Sequence, residues 1–297
     1  MSSKCIEPEK LYSRDPKLTK QDVEIIKEWL KKQPHLPELH ETQILLSLHS
    51  CYYQIEATKT AIDNYFTVRN LCPEIFTALK PDVLKITSSV VFTGVLPKRT
   101  PDGCGILMFK LLDTKTDSFN CANIINLINM VSVLYLHLNG ADTGVVALFD
   151  MKGFSLGHLT RLNMNPIKHA LCLVQEGTPV RIKGIHVMNA SPLIDKIMAL
   201  IKPFLKTEIY NLLQFHTPNS DTLYKSVPKE CLPEEYGGAQ PSSQTMNEQN
   251  MKNILDNYDL LEWHEGQKVD EKKRMGKSKL ANDVFGVEGT FKKLEID

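Results

Sequence analysis

The chain has little that would commit it to a charged partner or to an oxidising compartment. Its 35 Lys and Arg are cancelled by 35 Asp and Glu, so no overall field draws it to nucleic acid or to an anionic bilayer, and any membrane contact has to come from a local patch. The seven cysteines are odd in number and none falls in a Cys-x-x-Cys pair, which reads as reduced thiols rather than a disulfide framework or a zinc ribbon. Met1 to Lys20 is charged and lacks the apolar centre of a secretory leader, so a cytoplasmic location is expected. Neither Gly-x-Gly-x-x-Gly nor a Walker lysine occurs. His137, His158, His169, His186 and His216 stand isolated, and no histidine pair has metal-site spacing with a third ligand. No metal, catalytic set or cofactor is therefore expected.

What is present points to a large core. At 297 residues and 42% hydrophobic, the chain suits one large domain with an accessory one. Up to about Pro81 it is helical in character. Thr19 caps an amphipathic run through Val23, Ile26, Trp29 and Leu30, stopped by Pro34 and Pro37; further helices are expected at His40 to His49 and Ile55 to Asn70. After Pro81, strands alternate with helices: strands at Ser89 to Leu96, Gly105 to Leu112, Gly144 to Met151 and Val180 to Met188, and helices at Phe119 to Leu138 and Pro166 to Gln175. That order predicts an α/β fold with parallel strand pairs behind a helical cap.

Phe119 to Leu138 is long and apolar enough to raise the question of a membrane span. Its Asn120, Asn123, Asn126, Asn129, Ser132 and Tyr135 recur every third residue, which suits a buried helix with a polar flank better than a lipid-facing one. Ser191 to Leu205 carries Leu193, Ile194, Ile197, Met198, Ile201, Phe204 and Leu205 as a one-sided stripe. From Gly237 onward the chain is more polar and is expected to form a peripheral helix and an extended segment, with a basic-rich linker at Lys268 to Lys279.

Three segments and a connector carry a family resemblance: Asp150-Met-Lys-Gly-Phe-Ser155, Arg181-Ile-Lys-Gly-Ile-His-Val-Met-Asn189 and Leu232-Pro-Glu-Glu-Tyr-Gly-Gly238, with Ile201-Lys-Pro-Phe-Leu205 between the last two. In order and spacing they resemble the CRAL-TRIO lipid-binding family, in its tocopherol- and retinaldehyde-binding branch, and Phe285 to Phe291 resembles the tails of insect members. The resemblance implies a helical domain at 1–80, a CRAL-TRIO domain at 81–246 with a mixed, partly parallel sheet around an apolar pocket, and an extension at 247–297. It implies a monomeric, non-enzymatic carrier that binds one hydrophobic ligand, such as a tocopherol, retinoid or carotenoid, and meets membranes transiently. By the same resemblance Ile124, Leu127, Val131, Val145, Phe149, Leu173, Val174, Val180 and Ile185 line the pocket. Leu193, Ile194, Ile197, Met198, Ile201 and Phe204 form a movable gate. Arg181 and Lys183 match two basic positions used for phosphoinositides; the other two are Glu208 and Leu212 here, with Lys206 as a possible substitute.

Two other readings stand beside the carrier. Gly153-Phe-Ser-Leu-Gly157 spells Gly-x-Ser-x-Gly, and Asp195 and His216 follow Ser155 in the order that a hydrolase triad requires. An adaptor that binds phosphoinositides but has lost its lipid ligand is the other.

Overall fold

A computed structural model describes residues 4–276 and residue 280; the expected tail motif at Phe285 to Phe291 lies outside the described residues. The helical segment comprises α1 (Pro8–Arg14), α2 (Lys20–Leu30), α3 (Glu41–Ser50), α4 (Ile55–Leu71) and α5 (Pro73–Phe76). Thr19 caps α2 by accepting from the Asp22 amide, and Pro73 ends α4 because a proline cannot continue its hydrogen-bond ladder. α2, α3 and α4 bury Val23, Ile26, Ile44, Leu45, Leu48, Ile62 and Phe66 in one cluster.

A connecting helix, α6 (Pro81–Val90), leads into a five-stranded sheet of β1 (Val91–Val95), β2 (Gly105–Leu111), β3 (Val145–Asp150), β4 (Ile182–Met188) and β5 (Leu213–Phe215), ordered as numbered. β1 and β2 are antiparallel; the remaining pairs are parallel. Parallel neighbours need crossovers. These are α7 (Cys121–Asn139) between β2 and β3, α8 (Leu156–Leu159) and α9 (Met164–Glu176) between β3 and β4, and α10 (Leu193–Ile201) with α11 (Thr207–Tyr210) between β4 and β5. α12 (Ser243–Asp256) and α13 (Tyr258–Gly266) follow.

Several sequence expectations shift. Ser89 and Val90 are helical rather than extended, since α6 runs to Val90 and the strand begins only where pairing with Leu111 starts. Val180 and Arg181 precede β4. The segment after Gly237 is no peripheral helix: Met246, Ile254, Leu260 and Leu261 are buried, and α12 runs alongside β1, with Asn250 donating to the Thr93 carbonyl. Arg274, expected in a loose linker, forks onto both Asp63 oxygens at 2.8 and 2.9 Å. α7 is the one described helix long and apolar enough to cross a membrane. Most of it is buried in the fold, and Asn126 of its polar stripe donates to the Thr77 carbonyl.

Candidate functional site: the half-filled face of the sheet

The two faces of the sheet are filled to different degrees. Strand residues alternate between faces, and on β3 Val146, Leu148 and Asp150 are buried while Val145, Ala147 and Phe149 are only half-buried. Along the row through Ala147 the register carries this contrast to three neighbours, because Ala147 lies beside Leu107 and Ile185, and Ile185 beside Leu213. All four are half-buried. The opposite face packs Phe92, Ile106, Met108, Val146 and Leu148 under Leu223, Val227, Cys231 and Leu232, leaving them nearly inaccessible. A central strand whose side chains stay accessible on one face is packed less tightly there than on the other.

α7 and α9 lie against that face. Leu107 and Phe109 pack towards α7 with Ile125, Ile128, Phe154, Leu162 and Ile167, all half-buried, and Phe109 and Phe149 sit with ring centroids 6.1 Å apart. Of the residues expected to line a pocket, Val145, Phe149 and Ile185 belong to this half-filled face. Ile124, Leu127 and Val131 are buried in the cluster beneath α7, so they support the wall. Leu173 is a correction: it packs with the helical segment's core, because α9 is shared between two layers and this side of it faces α4. Val174 and Val180 line an outer groove between α4, α9 and α11, with a volume of about 630 Å³.

α10 lies beyond β4 in the chain. It leaves β4 through Asn189, Ala190, Ser191 and Pro192, and the segment after it docks on α9, where Gln175 donates to the Phe204 carbonyl at 3.0 Å. None of its residues is buried. Leu193, Ile194, Ile197, Met198 and Ile201 are half-buried, whereas Phe204, expected on the stripe, is 37% exposed, and Leu200, Tyr210 and Phe215 are exposed as well. A helix whose polar residues are only Asp195 and Lys196 and which buries nothing fully is ill-matched to water alone.

The segment leading into this helix is tied to the sheet by one carboxylate. Asp150 accepts from the Lys152 amide at 2.8 Å, from Asn189 Nδ2 at 2.7 Å and from the Tyr236 hydroxyl at 2.5 Å. Asn189 takes a left-handed backbone (φ 52°), which asparagine tolerates better than most residues. Burial and the Asp150 carboxylate push the Tyr236 phenol up, so it stays a donor. Asp150, Asn189 and Tyr236 come from the three separate sequence motifs, which this carboxylate joins in the fold.

The basic residues of β4 and its approach meet the helical segment. Arg181 Nε donates to the His49 carbonyl at 2.7 Å, and its guanidinium lies 4.2 Å from the Tyr52 ring centroid. Lys183 Nζ donates to the Tyr52 hydroxyl at 3.1 Å. The two converge, but on the helical segment, at the edge of a cleft of about 600 Å³ that also presents Arg14, Lys17 and Arg99. Lys206 forms an ion pair with Glu176 and stays half exposed.

No hydrolase triad assembles from the expected residues. His216 pairs with His186 (Nε2 to Nδ1, 2.9 Å) and with Thr222 (2.7 Å), and Asp195 is exposed on α10. Ser155 Oγ lies 2.9 Å from His158 Nδ1 in a reciprocal cap of α8. His158 packs its ring against Phe119 and Phe154, and no hydrogen-bond partner orients its Nε2.

Comparison with known proteins places this geometry. Residues 91–238 match the CRAL/TRIO domain family and residues 15–85 the Pinta-like, UBA domain family. Alpha-tocopherol transfer protein-like of Homo sapiens is 29% identical over 75% of this chain and 66% of its own length, and the Mus musculus protein of that name is 28% identical over the same shares. The match thus spans slightly under two thirds of those relatives. Clavesin-1 of Mus musculus is 27% identical over 81% of this chain and 70% of its own. A crystal structure of Sfh5 superposes with a TM-score of 0.44 at 16% identity, over 67% of this chain and 70% of that one, too loosely to bear on the site. With its CRAL/TRIO domain built on the five-stranded mixed sheet and preceded by a helical segment, the chain belongs to the CRAL-TRIO family, whose members bind and transfer small lipophilic molecules.

Proposed function

We propose that this protein binds one small lipophilic molecule against the Val145–Phe149 face of its sheet and exchanges it at membranes through movement of α10, without changing it chemically. The observation that carries the reading is the contrast between the faces of β3: alternate residues are packed on one side and accessible on the other. Each methylene buried there contributes about 0.8 kcal/mol, so a ligand with a long apolar body needs few polar contacts. The apolar lining fits a tocopherol, retinoid or carotenoid in class. α10 supports the exchange step, because water has no favourable contact for Leu200 and Phe204, 40% and 37% exposed, whereas a bilayer surface does. The Arg14, Lys17, Arg99 and Arg181 cleft offers anionic headgroups a place on the same protein, although Asp15 and Asp142 share it. Native mass spectrometry after incubation with each lipid class tests the reading; one intact lipid per chain is expected, and no uptake from any class contradicts it.

A further inference from the structure

The junction between α5 and α9 holds a group of side chains unrelated to the sheet. Cys72, Glu74 and His169 each offer one donor atom, and the three atoms lie within 4.8 Å of one another. They come from both layers: Cys72 caps the end of α4 and the start of α5, Glu74 stands in the first turn of α5, and His169 projects from α9. Pro73 fixes the turn between the first two. The helices are held close, since a Cβ on Gly177 at the end of α9 would lie 2.6 Å from the Tyr65 backbone nitrogen of α4.

We infer that Cys72, Glu74 and His169 form a zinc site that clamps the helical segment to the lipid-binding domain. A thiol, an imidazole and a carboxylate together suit a borderline-soft divalent ion, not magnesium or calcium, which prefer oxygen alone. Zinc–ligand bonds of about 2.0–2.3 Å in a tetrahedron set donor separations of roughly 3.3–3.6 Å. The present spread needs a shift of about 1 Å in side-chain termini, with the His169 Nδ1 to Glu74 Oε1 contact of 2.9 Å opening slightly. Glu74 is the exposed member and Cys72 the buried one, so an ion enters from the Glu74 side with water as its fourth ligand. The site is separate from the ligand space, since the neighbouring Leu173 and Cys172 of α9 pack with the helical core. Its presence or absence is thus independent of lipid binding.

The test uses the full chain, freed of metal and titrated with zinc against a competing chelator, then with cobalt(II) as a spectroscopic stand-in. One zinc per chain is expected, with cobalt spectra showing tetrahedral ligand-field bands and thiolate charge transfer. Glu74→Gln, at an exposed position where the fold is not at stake, and His169→Gln should each weaken zinc by about tenfold or more. Cys72→Ser should remove the charge-transfer band, while Cys51→Ser, a thiol away from the cluster, should leave affinity and spectrum unchanged. Circular dichroism of the metal-free variants separates lost ligands from lost fold. Absence of stoichiometric zinc would overturn the site, as would binding that survives Cys72→Ser and His169→Gln unchanged in folded protein.

Discussion

The carboxylate of Asp150 and the hydroxyl of Tyr236, 86 residues apart in the chain, meet at 2.5 Å inside the protein. Asn189, the left-handed residue before α10, shares the same carboxylate. The end of β3, the hinge of α10 and the Leu232 to Gly238 motif are therefore one device. It holds the root of α10 while leaving the helix itself unburied.

Asp150→Asn should consequently do more than lower stability. An amide cannot accept from Tyr236, Asn189 and the Lys152 amide as a carboxylate does, and hydrogen bonds to a charged group contribute about 1.5–3 kcal/mol each. A loss of roughly 2–4 kcal/mol in denaturant unfolding is expected, together with faster spontaneous ligand loss in buffer. Tyr236→Phe should show a smaller loss of the same kind, because it leaves the Asn189 bond in place. Unchanged release from folded Asp150→Asn would detach the lock from the hinge.

Arg181 is a second junction, and its replacement should be felt in the fold before it is felt at membranes. The guanidinium joins the His49 carbonyl and the Tyr52 ring, a planar contact that lysine cannot reproduce. Arg181→Lys should lower unfolding free energy by about 1–3 kcal/mol with its charge retained. Lys183→Gln, at an exposed side chain, should cost less than about 1 kcal/mol and reduce binding to anionic vesicles in a salt-sensitive way. Equal melting of Arg181→Lys and the parent would contradict the junction.

Acid should destabilise the protein through histidines buried in neutral form. Burial, and then the neighbouring His216, lower His186 to about 4; burial and Arg181 bring His49 to about 4; burial does the same for His137. Unfolded histidine titrates near 6.5, so the unfolded chain binds more protons between these values. Stability should be complete above about pH 6.5 and fall as pH drops towards 4, with a slope of up to about 1.4 kcal/mol per pH unit for each such histidine. His186→Gln should flatten that slope, since it removes one of the buried groups. An identical pH profile for parent and variant would show that the pair contributes nothing.

Ile197→Asp probes the moving helix. Ile197 is half-buried in α10, and exposing such a side chain fully costs about 1.5–3 kcal/mol. A carboxylate there should hinder closure, raising ligand loss in buffer and reducing its acceleration by vesicles. Transfer rates unaffected by the substitution and independent of vesicle concentration would assign release to another opening.

Which of these features the sequence discloses depends on the range of the interaction that makes them. Thr19 capping α2, the apolar run of β3 and the stripe of α10 are local patterns, and each appears in the fold close to where periodicity places it. The family resemblance adds the order of the layers. Contacts between distant residues leave no such trace: Asp150 with Asn189 and Tyr236, His186 with His216, and Cys72 with His169 look like isolated residues along the chain. Composition misleads at α12, where Asn247 is buried because its amide donates to the Ser88 carbonyl at 2.7 Å, so a polar stretch belongs to the core. Leu173 is a related case: its packing with the helical segment's core depends on which layer that side of α9 meets, and helical spacing does not show this.

The central claim is that space remains between the Val145–Phe149 face and α10, and filling that space is its most direct measurement. Ala147 sits mid-strand on that face, between Leu107 and Ile185. In a filled core, Ala147→Trp would overpack and cost roughly 1–3 kcal/mol or more. Here it should leave the unfolding free energy within about 1 kcal/mol of the parent while abolishing uptake of lipid seen by native mass spectrometry. A variant that is clearly destabilised, or one that still takes up a full equivalent of lipid, would contradict the account.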